Sequence, residues 1–146
     1  MSNEVRINNS LQIKVGSINH SSRPTAFTDD LSDTKGPTPG AITVALVGTD
    51  VDFSELTTPG YCRIANLEAK GDSSYVEYGV WDPEGARFYP LGEILPGQFY
   101  TIRFSRWLQE EFGSGSGTGT AGADTNRFRL KAHGAASDVL VEAFEA

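Results

Sequence analysis

The segment 74–104 constrains the fold more than any other, because apolar residues recur at every second position along most of it. Val76, Tyr78 and Val80 follow this period, which is typical of a strand with one buried face. The same period returns over 99–104, after an intervening strand. The segment therefore predicts three strands that follow one another as an antiparallel meander.

Turn residues separate these strands at two points. Pro83 presets φ for the second position of a type I turn, and Gly85 tolerates a positive φ. Pro96 and Gly97 provide the second turn. Each pair predicts a sharp reversal of the chain.

The rest of the chain repeats this pattern in short runs. Apolar residues alternate with polar ones in 5–15, 41–53, 61–67, 128–132 and 139–144. Gly and Pro cluster between the runs, as turn residues do in all-β folds. We predict a single all-β domain over 1–146, an antiparallel β-sandwich or jelly-roll-like fold with about eight strands. The last strand is expected either to pair within a sheet or to leave an edge that a neighbouring subunit covers.

Two segments lack the alternating pattern. Residues 17–40 form a long polar connection, interpreted as an arm that becomes ordered on a partner or as a long surface loop. Residues 113–126 are rich in Gly and Ser and predict a flexible surface loop. A phosphate-binding loop is not expected there, because no Lys-Ser or Lys-Thr pair closes the segment.

The charge of the chain bears on its partners. The 19 acidic residues exceed the 12 basic ones, which gives a net charge of −7. Because an acidic chain repels phosphate groups, we expect neither nucleic acid nor an anionic membrane as a partner. No apolar run approaches the roughly 18 residues that span a bilayer. The first ten residues lack the apolar core of a secretory signal, so we expect the chain to be made in the cytoplasm and kept there, or exported by a route that the sequence does not show.

The single cysteine and the tightest acidic cluster are interpreted as structural residues, and neither is interpreted as a reactive or metal-binding site. Cys62 is the only cysteine, which excludes an intrachain disulfide, and its strand pattern predicts a buried thiol. The cluster Asp29, Asp30 and Asp33 has no calcium-loop spacing and is interpreted as a solvated acidic loop.

Carboxylate pairs beside the meander are the remaining candidates for catalysis. Glu77 is expected to point to solvent and Glu84 lies in a turn, so neither is expected to form a glycosidase pair with Glu93. We therefore predict no catalytic residue, no cofactor, no metal site and no enzymatic activity.

Aromatic residues near the strand ends allow two interpretations. They either bind sugar rings or fill the core and subunit contacts, and we favour the second because aromatic side chains bury the largest apolar area. Leu108 and Phe112 are four apart and predict one short helical turn before the Gly-rich loop. Trp107 and Phe112 either seal one end of the sandwich or anchor a neighbouring chain. The candidate partner-interface residues are Phe27, Trp81, Trp107 and Phe112.

The central part of the chain carries a recurring motif of turn and core residues. The residues that match it are Thr58, Gly60, Tyr61, Asn66, Leu67, Glu68, Tyr75, Val76, Glu77, Gly79, Phe88, Pro90, Leu95, Pro96 and Gly97. This segment resembles a module found in structural proteins of tailed bacteriophages. The resemblance covers roughly 41–146 and omits the 17–40 segment. The sequence departs from the module over 107–126, where a shorter turn would be expected.

The resemblance implies a non-enzymatic structural protein of the virion, made in the host bacterial cytoplasm. The main expectation is a capsid decoration (cement) protein, a homotrimer on the outer head surface that binds the major capsid protein and stabilises the shell. The 17–40 arm and the aromatic ends would then bridge adjacent capsomers. One alternative is a tail or head–tail accessory protein, or a fibre adaptor. Another is a carbohydrate-binding module that holds glycans through Trp81, Tyr61 or Tyr75.

Overall fold

The computed structural model describes residues 5–22, 26–31, 35–113 and 125–146. These residues belong to two compact units, Met1–Ser32 and Asp33–Ala146. Antiparallel strands dominate both units, which confirms the all-β class. The division between the two units falls inside the 17–40 segment.

The described residues contain twelve strands and one short helix, against about eight strands predicted. The elements are β1 (Val5–Ile7), β2 (Leu11–Val15), β3 (Ile18–Ser22), β4 (Phe27–Asp29), β5 (Thr38–Val44), β6 (Thr49–Asp50), β7 (Pro59–Asn66), β8 (Tyr75–Asp82), β9 (Arg87–Ile94), β10 (Phe99–Arg103), α1 (Arg106–Phe112), β11 (Arg127–His133) and β12 (Ser137–Glu145).

The first unit consists of two small antiparallel sheets, in which β1 pairs with β4 and β2 pairs with β3. The interpretation of 17–40 as one arm or loop is therefore wrong, because β3, β4 and the start of β5 lie within it. Main-chain hydrogen bonds hold these short strands, and such bonds form without an apolar period. A search for alternating apolar residues consequently misses them.

The second unit is a sandwich of two four-stranded sheets. Their strand orders are β10-β7-β12-β5 and β6-β11-β8-β9. The β8–β9 hairpin is confirmed, but β10 pairs with β7 in the opposite sheet, so the predicted three-strand meander is wrong. Apolar periodicity indicates which face of a strand is buried, and it carries no information on which strand lies beside it.

The last strand, β12, lies inside its sheet between β7 and β5. Its end is fixed by Glu145, which is only 4% exposed. The Glu145 carboxylate accepts hydrogen bonds from the Thr57 and Thr58 N–H groups, each at 2.9 Å, and from Thr58 Oγ1 at 3.0 Å. These bonds attach the end of the chain to the segment that leads into β7.

Four phenylalanines from different elements form the aromatic part of the core. The ring centroids of Phe53, Phe104, Phe112 and Phe128 lie 5.1–6.3 Å apart. Helix α1 brings Phe112 into this cluster and confirms the predicted helical turn. Its N-terminus is capped by Ser105, whose Oγ accepts from the Leu108 N–H at 3.3 Å.

Two predicted loops are the turn between β8 and β9 and the Gly-rich segment 113–126. In the turn between β8 and β9 the left-handed residue is Ala86, with φ of 47°, rather than Gly85. The predicted flexible loop over 113–126 lies outside the described residues apart from its ends.

Candidate functional site

The β2–β3 hairpin of the first unit presents an apolar face. Ile13 pairs with His20 and Val15 pairs with Ile18, so these side chains share one face of the ladder with Leu11. The exposed fractions are 53% for Leu11, 41% for Ile13, 67% for Val15 and 59% for Ile18. We call these four residues the hairpin face.

The opposite side of the same hairpin is polar. It carries Gln12, Lys14, Asn19 and Ser21. A two-stranded hairpin is at best marginally stable in water, and an exposed cluster of large aliphatic side chains is typical of an interaction surface. The hairpin face is therefore the strongest candidate for binding another protein.

The signal for this surface was present in the sequence. Gly16 and Ser17 form the two-residue turn between β2 and β3, and Gly16 has φ of 55°. A glycine followed by a polar residue between two apolar residues is typical of a tight hairpin turn. The alternating pattern predicts β2, but it ends before Ile18, which falls in the polar connection. The pattern therefore does not place the two strands side by side as one face.

The four predicted interface residues lie in different surroundings. Phe27 lies in β4 opposite Ile7 and is 51% exposed. Trp107 is 58% exposed on α1, whereas Phe112 of the same helix is 8% exposed in the aromatic core. The prediction that Phe112 is an interface residue is therefore wrong, because the helix turns it toward the sandwich interior.

Trp81 is part of a network on the outer side of its sheet. The Arg129 guanidinium lies 3.8 Å from the Trp81 ring centroid, close enough for a cation–π contact. Arg129 Nε also donates to Asp50 Oδ1 at 2.6 Å, and Arg127 Nη1 donates to Asp50 Oδ2 at 3.0 Å. One face of the indole is thus occupied from within the chain.

Asp50 holds both arginines of this network. Burial by itself raises the pKa of Asp50, but the hydrogen bonds from Arg129 and Arg127 lower it by more, so the pKa lies below its ordinary value of 3.8. The carboxylate is therefore charged at neutral pH and links β6 to β11.

The other two aromatic residues considered for glycan binding also have an internal contact on one ring face. Tyr61 is 5% exposed, and the Arg103 guanidinium lies 5.3 Å from its ring centroid. Tyr75 stacks on His133 with the ring centroids 4.6 Å apart. None of the three offers the two free ring faces of an exposed aromatic platform.

The sequence predicts that Glu77 projects opposite Val76 and Tyr78 toward solvent, and it lies on that face of β8. Its side chain is only 26% exposed, however, because its Oε2 lies 2.6 Å from His133 Nε2. His133 faces Tyr75 across the β8–β11 ladder, and this places its ring beside Glu77 on the same face of the sheet. A contact between residues so distant in the chain is set by strand register alone.

The remaining polar candidates form no further site within the described ranges. In these ranges no three His, Cys, Asp or Glu side chains lie close enough to hold a metal ion, and Asp33 lies outside them. Cys62 is fully buried, and burial raises the pKa of its thiol to about 12. The helix within these ranges, α1, has seven residues, too few to span a bilayer.

Comparison with family models, curated proteins and solved structures finds no match. The function of this chain must therefore be inferred from its own residues and geometry. The hairpin face is the strongest candidate for an interaction surface. Phe27 of the first unit and Trp107 of the second are further exposed apolar residues.

Proposed function

We propose that this chain is a non-enzymatic structural protein of a tailed-phage particle, a decoration (cement) protein that binds the outside of the head. The hairpin face is the observation that supports this proposal, because it gives the chain an apolar surface suited to another protein. The phage-like motif over 58–97 supports it independently. The partner would be the major capsid protein, and the location the virion surface.

The proposed action is passive attachment. Burying four half-exposed aliphatic side chains contributes roughly 1 kcal/mol each before the cost of association is subtracted. A contact of this size is weak for a single copy. It becomes strong when several copies are joined, because each further contact is then intramolecular. A homotrimer on a repeating shell would supply this multiplicity, and the net charge of −7 would keep decorated particles apart in solution.

The test is substitution on the hairpin face in the phage that encodes the chain. A triple variant, Leu11→Ser with Ile13→Ser and Val15→Ser, should be absent from purified virions or present at a greatly reduced copy number. The matched control changes the polar side of the same strand, Gln12→Ser with Lys14→Ser, and should keep full occupancy. These substitutions are preferable to deleting residues 17–40, which would remove the first residues of β5 from the sandwich.

The readout is the copy number relative to the major capsid protein, measured by quantitative mass spectrometry. About one copy per capsid protein is expected for a protein that follows the shell symmetry. A few copies per hundred capsid proteins would favour the tail or head–tail accessory alternative. Complete absence of the chain from particles, or equal occupancy by the triple variant and the control, would contradict the proposal.

A further inference from the structure

The sandwich has four edge strands, and they differ in how they are protected. In β9, Pro90 lacks an N–H group and the ladder shifts register beside Gly79. In β5, Pro39 lacks an N–H group and Gly40 is left-handed with φ of 98°. β6 has only two residues. Proline, bulges and short length are the usual devices that block strand addition, and within the described residues β10 has none of them.

Three of the five residues of β10 direct their main-chain N–H and C=O groups away from the sheet. Phe104 N donates to Gly60 O in the ladder with β7. Because hydrogen-bonded positions alternate along an antiparallel pair, the N–H and C=O groups of Phe99, Thr101 and Arg103 face the open side. Within the described residues β10 has no second neighbouring strand, so these groups are available to a further strand.

An apolar cavity of about 250 Å³ lies beside this open edge. Its wall includes Tyr78, Val80, Leu91, Ile102, Phe104 and Phe128. Leu91 is 62% exposed, as expected for a residue at an uncovered margin. A strand added to β10 would direct every second side chain inward, toward this cavity, and apolar side chains would fit there.

On the outward face of β10, an added strand would be favoured by a charged side chain and not by an apolar one. Arg103 points outward, where its guanidinium contacts the Tyr61 ring. Within the described part of the chain it has no carboxylate partner, whereas Arg63 of the neighbouring strand is paired with Glu142 at 3.0 Å. A strand beside β10 would therefore be favoured by an acidic residue opposite Arg103.

We propose that β10 is a docking edge for an extended segment of a partner protein in which apolar residues alternate with acidic ones. The main chain of the segment pairs with Phe99, Thr101 and Arg103. Its apolar side chains enter the cavity, and an acidic side chain lies beside Arg103. This goes beyond the proposed function and does not depend on it, because any partner with such a segment would fit.

The test uses the purified full chain and a synthetic peptide of about eight residues, alternating valine with glutamate, acetylated and amidated at its ends. Binding is followed by amide NMR shifts and by hydrogen exchange. We expect the Thr101 and Arg103 amides to become protected on binding. Thr101→Pro removes one open-side N–H without removing a bond to β7, and it should abolish binding. Thr101→Val keeps that N–H and should bind as the wild type does.

A charge reversal tests the same proposal without proline. Arg103→Glu should weaken binding of the glutamate peptide by roughly tenfold and should favour a matched peptide with lysine in place of glutamate. Binding that is equal in all variants, or absent with the wild type, would overturn the proposal. Self-association of the wild type that Thr101→Pro abolishes would also overturn it, because the edge would then serve a second copy of this chain.

Discussion

Burial decides the chemistry of the single thiol. Cys62 is fully buried in β7, and its thiol pKa is raised to about 12 by that burial and by the charge of Glu142. Thiol reagents act on the thiolate, so a thiol with so high a pKa is inert in the folded state.

We predict that Cys62 resists a chromogenic disulfide reagent in the native protein and reacts fully once the chain is unfolded in denaturant. The measurement is the number of thiols released over time, with Cys62→Ala as the blank. Reaction of the native protein at the rate of a free thiol would show that β7 opens locally.

The ion-pair network around Asp50 makes stability depend on pH. The pKa of Asp50 is lowered in the folded state, mainly because the hydrogen bonds from Arg129 and Arg127 outweigh the effect of burial. A carboxyl group of this kind contributes stability above its unfolded pKa of 3.8 and loses that contribution as the pH falls through the folded pKa.

Asp50→Asn should therefore lower the free energy of unfolding at pH 7, by roughly 1–2 kcal/mol. The difference from the wild type should narrow as the pH falls below about 3.8, because the folded-state pKa of Asp50 lies under that value. Urea unfolding at a series of pH values measures both quantities. A difference that stays constant across the series would mean that the charge of Asp50 is not what stabilises the fold.

At the scale of elements, the β8–β9 hairpin depends on the absence of a side chain at Gly79. A Cβ atom there would overlap the Tyr89 carbonyl oxygen and lie 2.9 Å from Pro90 Cα. Both contacts are with the backbone of β9, next to the point where the ladder shifts register. A backbone contact cannot be relieved by turning a side chain.

Gly79→Ala should therefore lower the free energy of unfolding by roughly 1–3 kcal/mol. Gly85→Ala is the matched control, since its Cβ would meet only the end of the Asp82 side chain, which can move. Chemical denaturation of both variants compares them directly. Equal stability of the two would show that β9 can withdraw from β8 at little cost.

At the scale of the whole molecule, stability of the sandwich unit depends on how α1 closes its core. Phe112 contacts Phe53, Phe104 and Phe128, whereas Trp107 of the same helix is largely exposed. The two residues therefore form a natural comparison of a buried and an exposed aromatic side chain.

Phe112→Ala should lower the free energy of unfolding by about 3–5 kcal/mol, through lost apolar burial and the cavity left behind. Trp107→Ala should change it by about 0.5 kcal/mol or less. Thermal and urea unfolding followed by circular dichroism measure both. A large loss of stability from Trp107→Ala would show that its indole packs on the sandwich.

The sequence predicted the features that depend on neighbouring residues. It predicts the alternation of β8, the turn that follows it, the helical turn before the Gly-rich loop and the burial of Cys62, and the structure confirms all four. Each follows from the two-residue period of a strand or the 3.6-residue period of a helix, which a single segment displays by itself.

Local periodicity predicts neither short polar strands nor which strands pair with each other. β3 and β4 are held by main-chain hydrogen bonds and lack an alternating apolar pattern, so the sequence predicts a loop or arm in their place. β10 has the same two-residue apolar period as β8, yet it pairs with β7 in the sheet opposite the β8–β9 hairpin. The hairpin face was missed for a related reason, because it requires two strands to be placed side by side.

The sequence by itself determined that this chain is built of antiparallel strands with an apolar core, since period and turn chemistry are local properties. Only the tertiary structure decided which candidate residues are available to a partner. It turned Phe112 inward, left Trp107 exposed and placed Arg129 against Trp81. These outcomes depend on strand register and on packing between residues far apart in the chain, and no local pattern encodes either of them.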